Sequence, residues 1–464
     1  MMPSNSAGLR NFASSPAGLA LLGVGALCIL PTLAMWAMGS GLGVWRIRQW
    51  TEFLASNDSW VPIKAALEYL ARGDAAGLYE ETYYRARDQF LYPPVSLALF
   101  RITEELLFID WSSPRKMNIL SWFLIPLSAA IVATIVFKSI QLANRQFPER
   151  AIRRPDAWLM TATAAASVFV FYPLIKGYTL GQIQTLLTTL ILLSIACWIV
   201  RYKLAAGICL GLVCAIKPHL VLIYLWAVLR REFGFVAGGL LVLVPLSIFA
   251  LVAFGLPVHL EYLDLMSFLS RRGESYYASY SINGLLNRMF FLGPNLEWDG
   301  THSQIIYNKW VHMATVVSSL ALVALALFWR VPRRISPLPL DYCTALVVLS
   351  IAAPVAYEHH FGFTIAVFWI CLIAMHMVGM VGWRHLALLA AAYFLCANFI
   401  YHPLDRLADT YFNFLQSYMM YGIFALIWLL FLIRARVEHA PRPAAAAGGP
   451  RLRQASTGEL PGGG

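Results

Sequence analysis

Residues 95–109, VSLALFRITEELLFI, decide how the chain is threaded. The segment is apolar enough to suggest a membrane span, yet Arg101, Glu104 and Glu105 sit in its middle. Charges at the centre of a bilayer are costly. With apolar residues on the opposite helical face, the segment reads as a helix lying in the membrane interface. The rest of the chain tests that choice. Apolar runs lie at about 17–38, 117–139, 157–175, 181–200, 204–216, 218–229, 233–256, 306–329, 340–356, 360–380, 384–400 and 413–433, many near or above the ~18 residues that mark a span. Let the N-terminus be cytoplasmic and let 95–109 not cross. The loops holding Arg145, Arg150, Arg153 and Arg154, then Arg201 and Lys203, then Arg230 and Arg231, then Arg330, Arg333 and Arg334, then Arg384, and the Arg-bearing C-terminus, then all fall inside, as basic loops should. A crossing at 95–109 would invert every later assignment. The same logic splits 204–229 into two short arms, with Lys217-Pro218-His219 at an outer tip.

The expected fold is an all-α polytopic membrane protein with about 12 membrane-embedded helices and interfacial helices in its first outer loop. The expected organisation is a cytoplasmic N-terminus at 1–16, a membrane domain at 17–434 with outer loops 39–116 and 257–305, and a cytoplasmic tail at 435–464, Pro-, Ala- and Gly-rich and disordered. The run at 17–38 is long for a signal-peptide core and reads as a retained span.

Composition agrees. Of 464 residues 59% are hydrophobic and 13% charged, where soluble domains carry about 25% charged residues. Water-soluble fold classes drop out. The net charge of +11 reads as loop charge that sets orientation, and no nucleic-acid partner is implied. The seven cysteines all fall inside apolar runs, without CxxC or zinc-type spacing, so neither a disulfide framework nor a metal site is signalled.

Of the 24 acidic residues, six fall inside (Glu149, Asp156, Glu232, Asp341, Glu438 and Glu459) and the rest outside, mainly within 52–110 and 261–299. Chemistry is therefore expected on the outer face. The most polar outer stretch, residues 52–94, carries Asp58 in Ser-Asn-Asp-Ser, about twenty residues after the first apolar run, and ends in Tyr92-Pro93-Pro94. A carboxylate at a membrane surface suits a general base for a sugar hydroxyl. The commoner use of Asp in this setting is a helix cap: Asp58 or Ser59 could start a helix at about 60–71 with Pro62 in its first turn. Tyr92-Pro93-Pro94 reads as a rigid entry to the 95–109 helix.

Gly181-Gln182 opens an apolar run at the outer face, either a plain helix start or a polar contact. Lys217 either meets a lipid phosphate or snorkels to headgroups. Arg271 and Arg272, after an expected interfacial helix near 258–270, either clamp a phosphate or touch anionic lipid. Asn283 is a turn residue or a ligand. Glu358-His359-His360 joins two runs at the outer face; adjacent histidines diverge, so one is expected to donate to a phosphate or acceptor and the other to pack. His312 is a weaker candidate. No Asp-x-Asp and no cofactor motif occur.

These residues, in order, resemble glycosyltransferase family 87, of the GT-C class. The resemblance rests on Asp58 after the first span, the helix from Ala65 leading to Gly-x-x-x-x-Leu-Tyr at Tyr79, Tyr92-Pro93-Pro94, Gly181-Gln182, Ala206-Gly207 leading to Ile216-Lys217-Pro218, Asn283 before Gly284-Leu285, and Pro354 to His360. It covers roughly 55–360. The chain departs from the family pattern in having Tyr357 where Trp is usual, and Ser281-Ile282-Asn283 where a fuller Asn-Gln-Ser motif is usual.

The resemblance implies a GT-C bundle and a polyprenyl-phosphate-linked sugar donor, typically mannose. It also implies inverting transfer to a glycan or glycolipid acceptor, with Asp58 as base. Lys217, Arg271, Arg272, His359, His360, Gln182 and Asn283 would bind the donor, supported by Tyr92, Pro93, Pro94 and Glu358. The expected location is a multi-pass plasma membrane, with the site facing outward. Two other readings are a transporter or flippase of lipid-linked sugars and an outer-face glycan ligase. Transporters favour paired broken helices and midplane charges; here the candidate groups gather at outer span ends, and only 204–229 looks broken.

Overall fold

The computed structural model describes residues 15–37, 42–73, 75–298, 304–329, 338–400 and 404–438. Among these the chain is helical, and the single β-type contact is an antiparallel bridge between Ser279 and Tyr357. The expectations for 1–14, for the tail beyond 438 and for Arg330, Arg333 and Arg334 lie outside the described residues.

Five helices are long and apolar enough to cross a membrane: Pro114–Gln146, Arg154–Thr179, Phe233–Arg272, Lys309–Phe328 and Asn413–Val437. The shortest, at 20 residues, covers about 30 Å, the thickness of the hydrocarbon core. Seven further apolar helices are shorter: Pro16–Leu27, Gln184–Ile199, Lys203–Ile216, Pro218–Leu229, Leu340–Ile351, Thr364–Met377 and Trp383–Ala397. Length and composition by themselves therefore identify five spanning helices rather than about twelve. The protein is a multi-pass membrane protein. Its long helices turn Leu240, Leu241, Ile248, Val252, Val317 and Leu320 outward, a band of apolar surface that lipid covers and water would not tolerate.

The Pro94–Leu107 helix has 14 residues. It reaches about 21 Å, too short to span. Pro94 stands in its first turn, it buries Leu97, Ala98 and Phe100, and Phe108 ends it in the left-handed region at φ 56°. Arg101 lies over the Phe254 ring at 5.9 Å, so the helix is held against the bend of Phe233–Arg272. That bend is at Gly255, whose φ of 77° and ψ of 169° interrupt the helix two residues before Pro257. The segment after the bend is helical to Arg272, where Gly273 turns the chain.

Helices Lys203–Ile216 and Leu222–Leu229 form the expected pair of arms, joined by Lys217 and a 3-10 turn at Pro218–Val221. The first arm packs on the start of Phe233–Arg272. Gly207 permits this: a Cβ there would stand 2.0 Å from the Phe235 carbonyl oxygen. Leu340–Ile351 and Thr364–Val378 are buried on nearly all sides, which explains their unbroken apolar sequence. They flank the Pro354–His360 segment and hold it in place.

Candidate active site

Two chain segments far apart in sequence make the floor of the site. The backbone N–H groups of Ser56, Asp58 and Ser59 donate to the carbonyls of Thr179, Leu180 and Gly181 at 2.9, 3.0 and 3.1 Å. Gly181 adopts φ +65°, and a Cβ there would fall 1.8 Å from the Ser56 carbonyl oxygen. Only glycine allows both the left-handed turn and the close approach. Asn118 braces the other side, bonding the Ser56 carbonyl and the Asn57 side chain and accepting from the Trp60 indole at 2.7 Å.

This packing sets the side chains. Ser59 Oγ accepts from the Ile183 N–H at 3.1 Å and donates to Gln182 Oε1 at 2.8 Å. The Tyr92 hydroxyl, 2.9 Å away, then fills its second acceptor site. With Oε1 thus engaged, Gln182 turns its Nε2 to Asp58 Oδ2. Tyr92 is fixed in turn by the Tyr79 hydroxyl, which donates to its carbonyl at 2.7 Å. Pro93 is extended and Pro94 starts the next helix. Ser59 occupies the N-cap of Trp60–Leu70, yet no side chain caps that helix. The capping alternative for Asp58 and Ser59 is therefore unused: both side chains turn away to Gln182.

Asp58 lines a cavity of about 480 Å³, together with Tyr92, Gln182, Lys217, Glu358, His359 and His360. Burial raises the Asp58 carboxyl above its usual 3.8, opposed by the Gln182 hydrogen bond and the Lys176 charge. Its Oδ1 has no protein partner among the described residues.

The far wall is the 3-10 turn Glu358–Phe361. Tyr280 N–H donates to the Ala356 carbonyl at 2.7 Å and Ser281 Oγ to the Pro354 carbonyl at 2.6 Å, so the second outer loop anchors this turn. Tyr357 N–H donates to His360 Nδ1 at 3.3 Å. That acceptor role places the His360 proton on Nε2 and makes Nε2 a donor. His359 Nδ1 is buried without a partner. Burial and the Lys217 charge hold both imidazoles well below their usual pKa, hence neutral. Glu358 Oε1 accepts from the Tyr172 hydroxyl at 3.0 Å and pairs with Lys176 Nζ at 3.4 Å.

Lys217 is half-buried and lines the cavity. It has no ion pair among the described residues, and burial pushes it down to about 7. His219, beyond Pro218, lines the same wall.

Of the expected donor-binding residues, Arg271, Arg272 and Asn283 are not brought to this lining, nor are the supporting Pro93 and Pro94. Arg271 is exposed at the end of its helix, one residue past the lining Ser270. Arg272 stacks over the Phe268 ring at 4.9 Å. Asn283 is buried in a network: its Oδ1 accepts from the Glu274 N–H at 3.0 Å and from Asn287 Nδ2 at 2.7 Å, and its Nδ2 donates to Thr315 at 3.0 Å. It ties the turn at Glu274 to the Ile282–Met289 helix and to Thr315. The weaker candidate His312 bonds the Ser270 carbonyl at 3.1 Å.

The lining also holds Lys176, His219, Gln89, Tyr276 and Trp298, which the sequence reading did not single out. For Lys176 a signal existed: it is a charge between two apolar runs, and such residues are candidates by default. Among the described residues no three His, Cys, Asp or Glu side chains gather as a metal-binding set. The whole cavity thus offers a half-buried carboxylate, one oxygen of it without a partner among the described residues, in one lining with lysine and neutral histidine. That arrangement suits proton removal beside an anion.

The model of glycosyltransferase family 87 matches residues 90–354. A curated relative from Mycobacterium tuberculosis (strain H37Rv) is 26% identical over 302 residues, which is 64% of this chain and 63% of the relative. It is described as a polyprenol-phosphate-mannose-dependent alpha-(1-2)-phosphatidylinositol mannoside mannosyltransferase. The chain therefore spans somewhat under two thirds of that relative's length. No solved structure matches. With more than half of its length inside the family match, the chain belongs to glycosyltransferase family 87.

Proposed function

We propose that this protein transfers a hexose, mannose by preference, from a polyprenyl-phosphate-linked donor to a glycan or glycolipid acceptor at the outer face of the plasma membrane, with Asp58 as general base. Family membership supports glycosyl transfer, and the relative's dependence on polyprenol-phosphate-mannose supports the donor. That relative's acceptor, a phosphatidylinositol mannoside, supports a glycolipid acceptor. The basic inner loops and acidic outer loops support the orientation. In this reading the seven shorter apolar helices are embedded with the five long ones, giving about twelve. Residues 1–16 and 435–464 lie in the cytoplasm, and loops 39–116 and 257–305 outside.

The observation that supports the proposal is Asp58, its Oδ1 without a partner among the described residues, lining the same cavity as Lys217 and the histidines. The acceptor oxygen attacks the anomeric carbon from the side opposite the phosphate. Its proton passes to the Asp58 carboxylate. The bond from the anomeric carbon to the phosphate oxygen breaks, and that oxygen keeps the electron pair as polyprenyl phosphate departs. Attack from the opposite side inverts the anomeric centre. Lys217 and the Nε2–H of His360 stabilise the growing phosphate charge, as charge-assisted contacts in a water-poor site do. Arg271 stands at the rim, and Gln182 orients the base.

The test is transfer of radiolabelled mannose from synthetic polyprenyl-phosphate mannose by the purified protein, with a membrane extract supplying acceptor. Label entering the extract's glycolipids or glycans supports the reading; label remaining on the polyprenyl carrier, or carried across vesicles without transfer, overturns it.

A further inference from the structure

The polar lining of the cavity is of two kinds. Lys217, His219 and His360 offer donors and no carboxylate. Asp58, Gln182, Lys176 and Glu358 offer a mixture of donors and acceptors. The second group is tightly tied together. Leu180 N–H donates to the Lys176 carbonyl at 3.0 Å, and the Leu180 carbonyl accepts from the Asp58 N–H at 3.0 Å. Lys176 therefore sits one helical turn from the carbonyl that holds the base.

Glu358 is 1% exposed. Tyr172 and Lys176 engage its Oε1, but Oε2 is buried with no partner. Buried carboxylate oxygens are nearly always satisfied, and a buried ion pair is favourable only when its remaining sites are bonded. Lys176 carries three donors, and Glu358 is its one close carboxylate among the described residues. The pair thus sets a buried acceptor that no described residue meets beside an ammonium with donors to spare.

A phosphate cannot answer this arrangement. Its oxygens only accept, and they would meet the charges of Glu358 and Asp58. A hydroxyl answers it fully: it donates to Oε2 and accepts from the ammonium. A ring hydroxyl of a pyranose presents that pattern in one direction, and the epimer with that hydroxyl inverted points it elsewhere.

We propose that Glu358 and Lys176 form the hydroxyl-recognition subsite for the transferred hexose, with Lys176 a specificity-determining residue. This rests on the glycosyl-transfer reading above. The sugar ring lies between this pair and Asp58, and the linking phosphate lies against Lys217, His219 and His360. A sugar that fails to satisfy Oε2 leaves a buried carboxylate oxygen unpaired, the condition under which a site rejects an analogue most strongly.

The test compares full-length protein in nanodiscs on three donors, polyprenyl-phosphate mannose, glucose and galactose, reading kcat/KM for each. The wild type is expected to prefer one epimer by about 100-fold or more. Glu358→Gln and Lys176→Gln are each expected to reduce that preference at least tenfold, whatever they do to thermal stability. If the pair is only a structural clamp, melting temperature falls while the epimer ratio stays at the wild-type value, and the subsite is overturned. A wild type that transfers all three hexoses equally also overturns it. A wild type that transfers none overturns the transfer reading itself, a result distinct from an unchanged ratio. Should Glu358→Gln not fold, the ratio in Lys176→Gln decides.

Discussion

Asp58 accepts a hydrogen bond from the amide of Gln182, a residue 124 positions further along the chain. Ser59 beside it satisfies Gln182 Oε1 and so fixes which way that amide faces. A base that must take a proton from a mobile hydroxyl gains from such fixation, because small misplacements of reacting groups are costly. The contact also brings a carboxylate from the first polar loop to the entrance of a buried helix.

The turn at Gly181 is what allows that contact. Gly181→Ala would force a Cβ to 1.8 Å from the Ser56 carbonyl at a φ of +65°. The backbone must move, and Asp58 moves with it. Transfer is expected to fall about 100-fold, the loss that ångström-scale displacement brings, with a lower melting temperature. Activity near wild type in Gly181→Ala, measured in the transfer assay, would show that Asp58 needs no such placement.

The orientation is open to direct measurement. A topology reporter fused near Gln141 is expected to read cytoplasmic, and one near Gly293 external. These follow from the loop charges and from 95–109 not crossing. The opposite result at both fusions would turn the cavity to the cytoplasm and remove the outer-face chemistry.

Much of the scaffold was legible in the sequence because burial in lipid and burial in a helical core both demand long apolar runs. The expectation that 95–109 does not cross rests on its charges, which are costly in a span; the helix found there, Pro94–Leu107, has 14 residues. The arms around Lys217 were readable for the same reason. What spacing could not show is which way a side chain turns at a helix end. Arg271 and Arg272 stand next to the lining Ser270, but the helix carries one outward and stacks the other on Phe268. Asn283 carries the polar chemistry of a ligand, and Glu274, Asn287 and Thr315 consume it. The joining of Asp58 to Gln182, and of Lys176 to Glu358, spans more than a hundred residues in each case; no local pattern encodes that.

The phosphate wall predicts unequal losses for two basic residues. Lys217→Ala removes a half-buried charge from the cavity wall. Loss of a charge-assisted contact at such a site is worth about 1.5–3 kcal/mol, roughly tenfold to over a hundredfold in apparent donor affinity. Arg271 is an exposed rim charge, so Arg271→Ala should cost only a few-fold and that loss should shrink with added salt. Donor titrations of both purified variants at two salt concentrations check this. Equal losses would put the phosphate nearer the helix end than the arm tip.

Asp58→Asn separates base from scaffold most directly. Asn keeps the size of the side chain but cannot take the hydroxyl proton. General-base contributions run about 10²–10⁴-fold, so residual transfer of about a per cent or less is expected. The fold should not suffer. No side chain of this segment caps the Trp60–Leu70 helix, so no cap is lost. Burial raises the Asp58 carboxyl above its ordinary value, which means the folded protein holds that proton more tightly than the unfolded chain does. The ionised form therefore weakens the fold at neutral pH, and the cost is relieved as pH falls through the raised pKa. Asn is neutral throughout. Its variant should melt at the wild-type temperature or slightly higher at pH 7, with the difference shrinking in acid. The same shift sets the pH profile of the wild type: transfer needs the ionised base, so activity is lost on acidification at a pH above the ordinary 3.8 of an aspartate. Asp58→Glu should recover little, since an extra methylene displaces the carboxylate by about an ångström. The measurements are transfer rate and melting temperature across pH on the same preparations. A stable Asp58→Asn protein retaining more than about a tenth of the wild-type rate falls outside the general-base range and would end the assignment of Asp58.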